Sequence, residues 1–132
     1  MKAWDTNLLV RHLTEDDADQ LRVVRRELEQ ASSRGQSIWI ADVTLVETLW
    51  VLQHGFGLEV DSVLEVLLQL TEDARFVFQS GGDVRLAVER SRIKGDLPEH
   101  LIALAAKQAG AEKTQIFDRA VKRFPIFEVL HA

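Results

Sequence analysis

Five acidic side chains, Asp5, Glu47, Asp96, Glu99 and Asp118, stand at places in the sequence that point to chemistry. Asp5 directly follows a short apolar run and precedes Thr6 and Asn7. Asp118 follows Gln115, Ile116 and Phe117 and precedes Arg119. Ligands of parallel sheets bind at the carboxyl ends of the strands, so two acids placed there are candidates for one cleft. Glu47 has Val46, Leu49, Trp50 and Val51 around it. An ionised carboxylate is costly to bury alone, so this one calls for a metal, an arginine such as Arg119, or exposure. Asp96 and Glu99 lie on one side of the start of a helical stretch, where an acid also caps backbone amides.

Carboxylates gathered in one place repel and raise each other's pKa unless a cation lies between them, which favours Mg²⁺ or Mn²⁺. Such an ion supplies hydroxide from bound water and stabilises charge on a phosphodiester, so phosphodiester hydrolysis is the expected chemistry. The chain has no cysteine, which excludes disulfides, thiolate metal sites and thiol nucleophiles. His12, His54, His100 and His131 form no metal-ligand spacing, although His100 is next to Glu99. A net charge of −5 runs against a non-specific nucleic-acid binder. Acids concentrated around divalent cations resolve that tension, because the ions reverse the local field.

The elements that must position these acids alternate. Strand-like runs occur at Lys2–Trp4, Ser37–Ala41, Arg75–Phe78, Thr114–Phe117 and Phe127–Leu130. Leu21, Val24, Leu28 and Ala31 predict an amphipathic helix that stops near Gly35. A second helix starts near Asp42 and breaks at Gly55, and a third runs from Asp61 through Leu70. Gly81, Gly82 and Asp83 open a fourth, closed by Gly95, and Pro98 starts a fifth that ends before Gly110. Alternation of this kind predicts an α/β fold with a central, mainly parallel sheet of about five strands. A length of 132 residues, 46% hydrophobic and 28% charged, predicts one globular domain over 1–132. No apolar run reaches the length of a membrane span and the N-terminus lacks a secretory pattern, so a cytoplasmic protein is expected.

The chain resembles the PIN-domain family, in particular the VapC-type toxins of bacterial toxin–antitoxin pairs. The resemblance covers nearly the whole chain. It rests on Asp5-Thr6-Asn7-Leu8-Leu9-Val10, Val46-Glu47-Thr48-Leu49-Trp50-Val51-Leu52, Leu101-Ile102-Ala103 and Phe117-Asp118-Arg119, in order. It implies a three-layer α/β/α sandwich, ribonuclease activity with Mg²⁺ or Mn²⁺, homodimerisation and inhibition by a cognate antitoxin. The family's acids match Asp5, Glu47 and Asp118. For the third, Glu99 stands where an aspartate is usual, with Asp96 as the alternative ligand and Glu99 favoured by position. Two departures, Ile116 in place of a hydroxyl residue and Ala120 in place of an acid, imply a weak second metal position and leave a PIN-fold binding module as the alternative function. Thr6, Asn7 and Arg119 are candidates for positioning substrate. Arg90, Arg92 and Lys94 are better placed to guide RNA than Arg22, Arg25 and Arg26, which read as a solvated helix face. Trp4, Trp39 and Trp50 read as core or interface residues.

Overall fold

Five short strands form at the apolar runs, and a polar residue, Asp5, Asp42, Gln79 or Asp118, stands within two residues of the end of each of the first four. The computed structural model describes residues 1–132, which divide into two compact units, Met1–Gly81 and Gly82–Ala132. In the first, strands β1 (Lys2–Ala3), β2 (Ile38–Ile40) and β3 (Phe76–Phe78) form a parallel sheet in the order β1-β2-β3. Lys2 is in register with Ile38, and Ile38 with Phe76. Four helices connect and cover these strands: α1 (Thr6–Thr14), α2 (Ala18–Ser33), α3 (Asp42–His54) and α4 (Val60–Thr71).

The helical faces follow from spacing. Helix α2 buries Leu21, Val24 and Leu28, and α4 buries Val63, Leu64, Leu67 and Leu70, positions that recur on one side of a 3.6-residue period. Each fully buried side chain of this size contributes roughly 1.5–3 kcal/mol. Ile38 and Ile40 of β2 are buried as well, with Trp39 between them half-buried.

In the second unit, α5 (Asp83–Ile93) packs against α6 (Leu97–Gln108), and β4 (Thr114–Ile116) pairs in parallel with β5 (Phe127–Val129). A single 3₁₀ turn, Arg119–Val121, lies between those strands. Ala103, Val121 and Phe127 form a buried cluster with Ile116, Phe124 and Ile126 against it.

The α/β class with parallel strands is therefore borne out, and each of the five expected strands is present within a residue at either end. They are divided into sheets of three and two strands. Helix α1 is an addition to the sequence expectation. Asp5 caps it by accepting the Leu8 N–H at 3.1 Å, and Glu15 ends it in the left-handed conformation at φ 55°. Its nine residues bury only Leu9 and Val10, too short a pattern to stand out by period. No helix is long and apolar enough to cross a membrane.

Candidate active site

The sequence Lys94-Gly95-Asp96-Leu97-Pro98-Glu99-His100 turns the chain from α5 into α6. Gly95 has φ +83°, a left-handed backbone that side chains other than hydrogen tolerate poorly. Asp96 then caps α6, accepting the Glu99 N–H at 2.9 Å, while Oε2 of Glu99 accepts the Asp96 N–H at 3.2 Å. This reciprocal capping box fixes both side chains in the first turn. Pro98, in that turn, needs no hydrogen-bond acceptor.

Asp118 comes from the connection between β4 and β5 of the same unit, after the exposed Phe117. Its Oδ1 accepts the Ala120 N–H at 2.9 Å and so caps the 3₁₀ turn. Glu99 and Asp118 are near enough to hydrogen bond through their carboxyl groups. Burial is the main reason that the Glu99 carboxyl is pushed above its ordinary value. The charges of Asp96 and Asp118 and the hydrogen bond with Asp118 act the same way, and the Asp96 N–H opposes them. Among the predicted acids of this unit, the fold brings Glu99 to both others. Asp96 is exposed and engaged as a cap.

In the first unit, Asp5 is an exposed N-cap two residues beyond the end of β1. Thr6 and Asn7 lie in the first turn of α1, with Thr6 half-buried and Asn7 exposed beside Leu8, Arg11 and Gln20. Glu47 is on α3 and exposed. The apolar neighbours Leu49 and Leu45 lie on a different face, while Val43 and Trp50, both 62% exposed, share the face of Glu47. Exposure spares Glu47 the desolvation cost that a buried carboxylate would carry.

Asp42 is a polar residue at the sheet edge that sequence reasoning took only as a helix start. It follows β2, accepts the Ser80 hydroxyl at 2.5 Å, and gives its N–H to the Gln79 side chain at 3.0 Å. The available signal was its place directly after an apolar run, as for Asp5. Arg119 is exposed, with its guanidinium 3.3 Å from His131 Nδ1. Arg90 lies over the Phe124 ring at 5.8 Å. Ile116 is half-buried beside the second unit's core, so a residue expected to be polar there serves packing instead. Trp4 is buried, Trp39 half-buried and Trp50 exposed.

No family model and no solved structure matches the sequence. Over 124 residues the chain is 23% identical to the VapC ribonuclease of Aquifex aeolicus (strain VF5), covering 93% of this chain and 91% of that protein. The resemblance to VapC-type PIN-domain proteins is borne out. In this VapC-like chain the carboxyl pair Glu99 and Asp118 suits a hard divalent cation, because both donors are oxygens and their like charges oppose each other without one. No three His, Asp or Glu side chains are gathered so as to hold a metal ion among themselves. Mg²⁺ characteristically takes one or two carboxylates and completes its shell with water and substrate phosphate, so a pair is a sufficient protein contribution.

Proposed function

We propose that this chain is a Mg²⁺- or Mn²⁺-dependent ribonuclease that hydrolyses RNA phosphodiester bonds and is the toxin of a toxin–antitoxin pair. The observation that carries the reading is the Glu99 and Asp118 carboxyl pair, in a chain similar over most of its length to a protein named VapC ribonuclease. In this reading Asp5, Glu47, Glu99 and Asp118 are the catalytic acids. Asp96 is an additional ligand, and Thr6, Asn7 and Arg119 position the RNA. The protein works in the cytoplasm as a homodimer, with a cognate antitoxin as its inhibitor.

When bound, the cation activates water and stabilises charge on the phosphodiester. The side chains prepare for it by dividing their oxygens. Oδ1 of Asp118 and Oε2 of Glu99 are engaged with backbone N–H groups, which holds the carboxylates in place and leaves each with a second oxygen. Fixing the acids beforehand lowers the ordering cost of binding. The exposed guanidinium of Arg119 immediately follows Asp118 and offers charge-assisted hydrogen bonds to a phosphate.

The test is cleavage of mixed small RNAs by purified protein with Mg²⁺ or Mn²⁺, beside an EDTA control and the variants Glu99→Gln and Asp118→Asn. Cleavage is expected for the wild type alone, with losses of about a hundredfold or more in each variant. A folded protein that cuts no RNA with either metal would leave a PIN-fold binding module as the better account.

A further inference from the structure

His100 is only 1% exposed, yet its ring has a single polar partner. Nε2 lies 2.7 Å from the Lys94 carbonyl, and Nδ1 has no hydrogen-bond partner. Because a carbonyl only accepts, Nε2 carries the proton and donates it, leaving Nδ1 bare in the neutral ring. Phe124 at 4.9 Å and Phe127 at 5.5 Å meet the imidazole edge to face and hold its plane. An apolar residue would satisfy those contacts as well as histidine does. The polar requirement comes from the Lys94 carbonyl, at the end of α5.

That carbonyl belongs to the turn that delivers Glu99. Gly95 separates it from Asp96 and lies so close to the imidazole that a Cβ there would be 3.1 Å from Nε2 and 3.0 Å from Oε2 of Glu99. The turn is thus held at both ends, by the His100 hydrogen bond to Lys94 and by the reciprocal bonds between Asp96 and Glu99. We propose that His100 is a positioning residue, a latch on the Lys94 carbonyl that keeps the 94–96 turn in the shape that presents the Glu99 carboxylate to Asp118. The proposal rests on the reading of Glu99 and Asp118 as metal-holding acids.

The experiment uses the full chain with His100→Phe, which keeps the aromatic packing but cannot donate, and His100→Gln, whose amide can donate to the same carbonyl. His100→Leu, smaller and also unable to donate, is a second variant that separates the hydrogen bond from ring size. Hydrogen exchange of the metal-free proteins is followed by mass spectrometry, and Mn²⁺ affinity by calorimetry. Phe and Leu are expected to accelerate exchange across residues 95–99 by about tenfold, with 127–129 unchanged, as loss of one buried hydrogen bond implies. Both should weaken Mn²⁺ binding by about the same factor, and Gln should restore both. Wild-type exchange at 95–99 in both variants, or acceleration spread evenly over residues 82–132, overturns the latch. Local acceleration with unchanged Mn²⁺ affinity overturns its role in positioning. A wild type that takes up no Mn²⁺ overturns the metal reading, and the proposal with it, before any variant is compared.

Discussion

Replacing Gly95 with alanine tests how tightly the turn into α6 is constrained. At φ +83° an added Cβ places the residue in a left-handed conformation, at a cost of roughly 1–2 kcal/mol. The same Cβ would be 2.5 Å from Cγ1 of Val121, a side chain with no exposure and so little room to retreat. Overpacking of this kind adds roughly 1–3 kcal/mol, for a total of roughly 2–5 kcal/mol. For a domain of this size each kcal/mol lowers Tm by about 4 °C, so Gly95→Ala should melt roughly 8–20 °C below the wild type. The assay is thermal unfolding by circular dichroism without added metal, beside Gly82→Ala as the control. Gly82 has φ −62° and nothing within 4 Å of a built Cβ. There alanine should stabilise by about 0.4–1 kcal/mol through the unfolded chain. If Gly95→Ala melts together with Gly82→Ala, the argument from the left-handed turn and the Val121 contact is wrong.

Asp5→Ala should cost about 1 kcal/mol in a urea titration by removing the cap on the Leu8 N–H. Asp5→Asn should keep that stability and still lose RNA cleavage, and equal cleavage by Asn and wild type would remove Asp5 from the catalytic set. The His12 imidazole is held below its ordinary pKa, chiefly by burial and then by the Arg75 charge, against the opposing charges of Asp73 and Glu15. The native state therefore binds this proton less readily than the unfolded chain. Its favourable contribution is present above about pH 6.5 and is lost as pH falls from there through the folded pKa. The urea midpoint should fall between about pH 7.5 and pH 5.5, and His12→Phe should flatten the fall. An identical profile in the variant refutes the assignment. Trp50→Ser, on the exposed face of α3 with Val43, should change stability by less than about 0.5 kcal/mol while shifting the sedimentation of the proposed homodimer toward monomer. Unchanged sedimentation, or a wild type that sediments as a monomer, would remove Trp50 from any dimer face.

The residues that sequence alone placed well are those whose signals are local. Apolar runs bounded by polar residues located all five strands, since a buried strand needs little more than a short apolar stretch. The 3.6-residue recurrence of Leu21, Val24 and Leu28 located α2, and Asp96 and Pro98 marked the start of α6 because caps act within one turn. Asp5, Asp118 and Glu99 were legible as candidates from their place after strands or at a helix start. Other features depend on partners distant in sequence. Glu47 sits among apolar residues in the chain but on an exposed face, because neighbours in sequence point to different sides of a helix. The elevated Glu99 carboxyl arises from burial and from Asp118, on a different element. The packing of the His100 ring arises from Phe124 and Phe127, more than twenty residues further along the chain. Sequence thus determined which chemical groups are present and the local elements that carry them, whereas tertiary structure decided which of them meet and how dry their surroundings are. Both of those depend on distances that close only when separate elements pack.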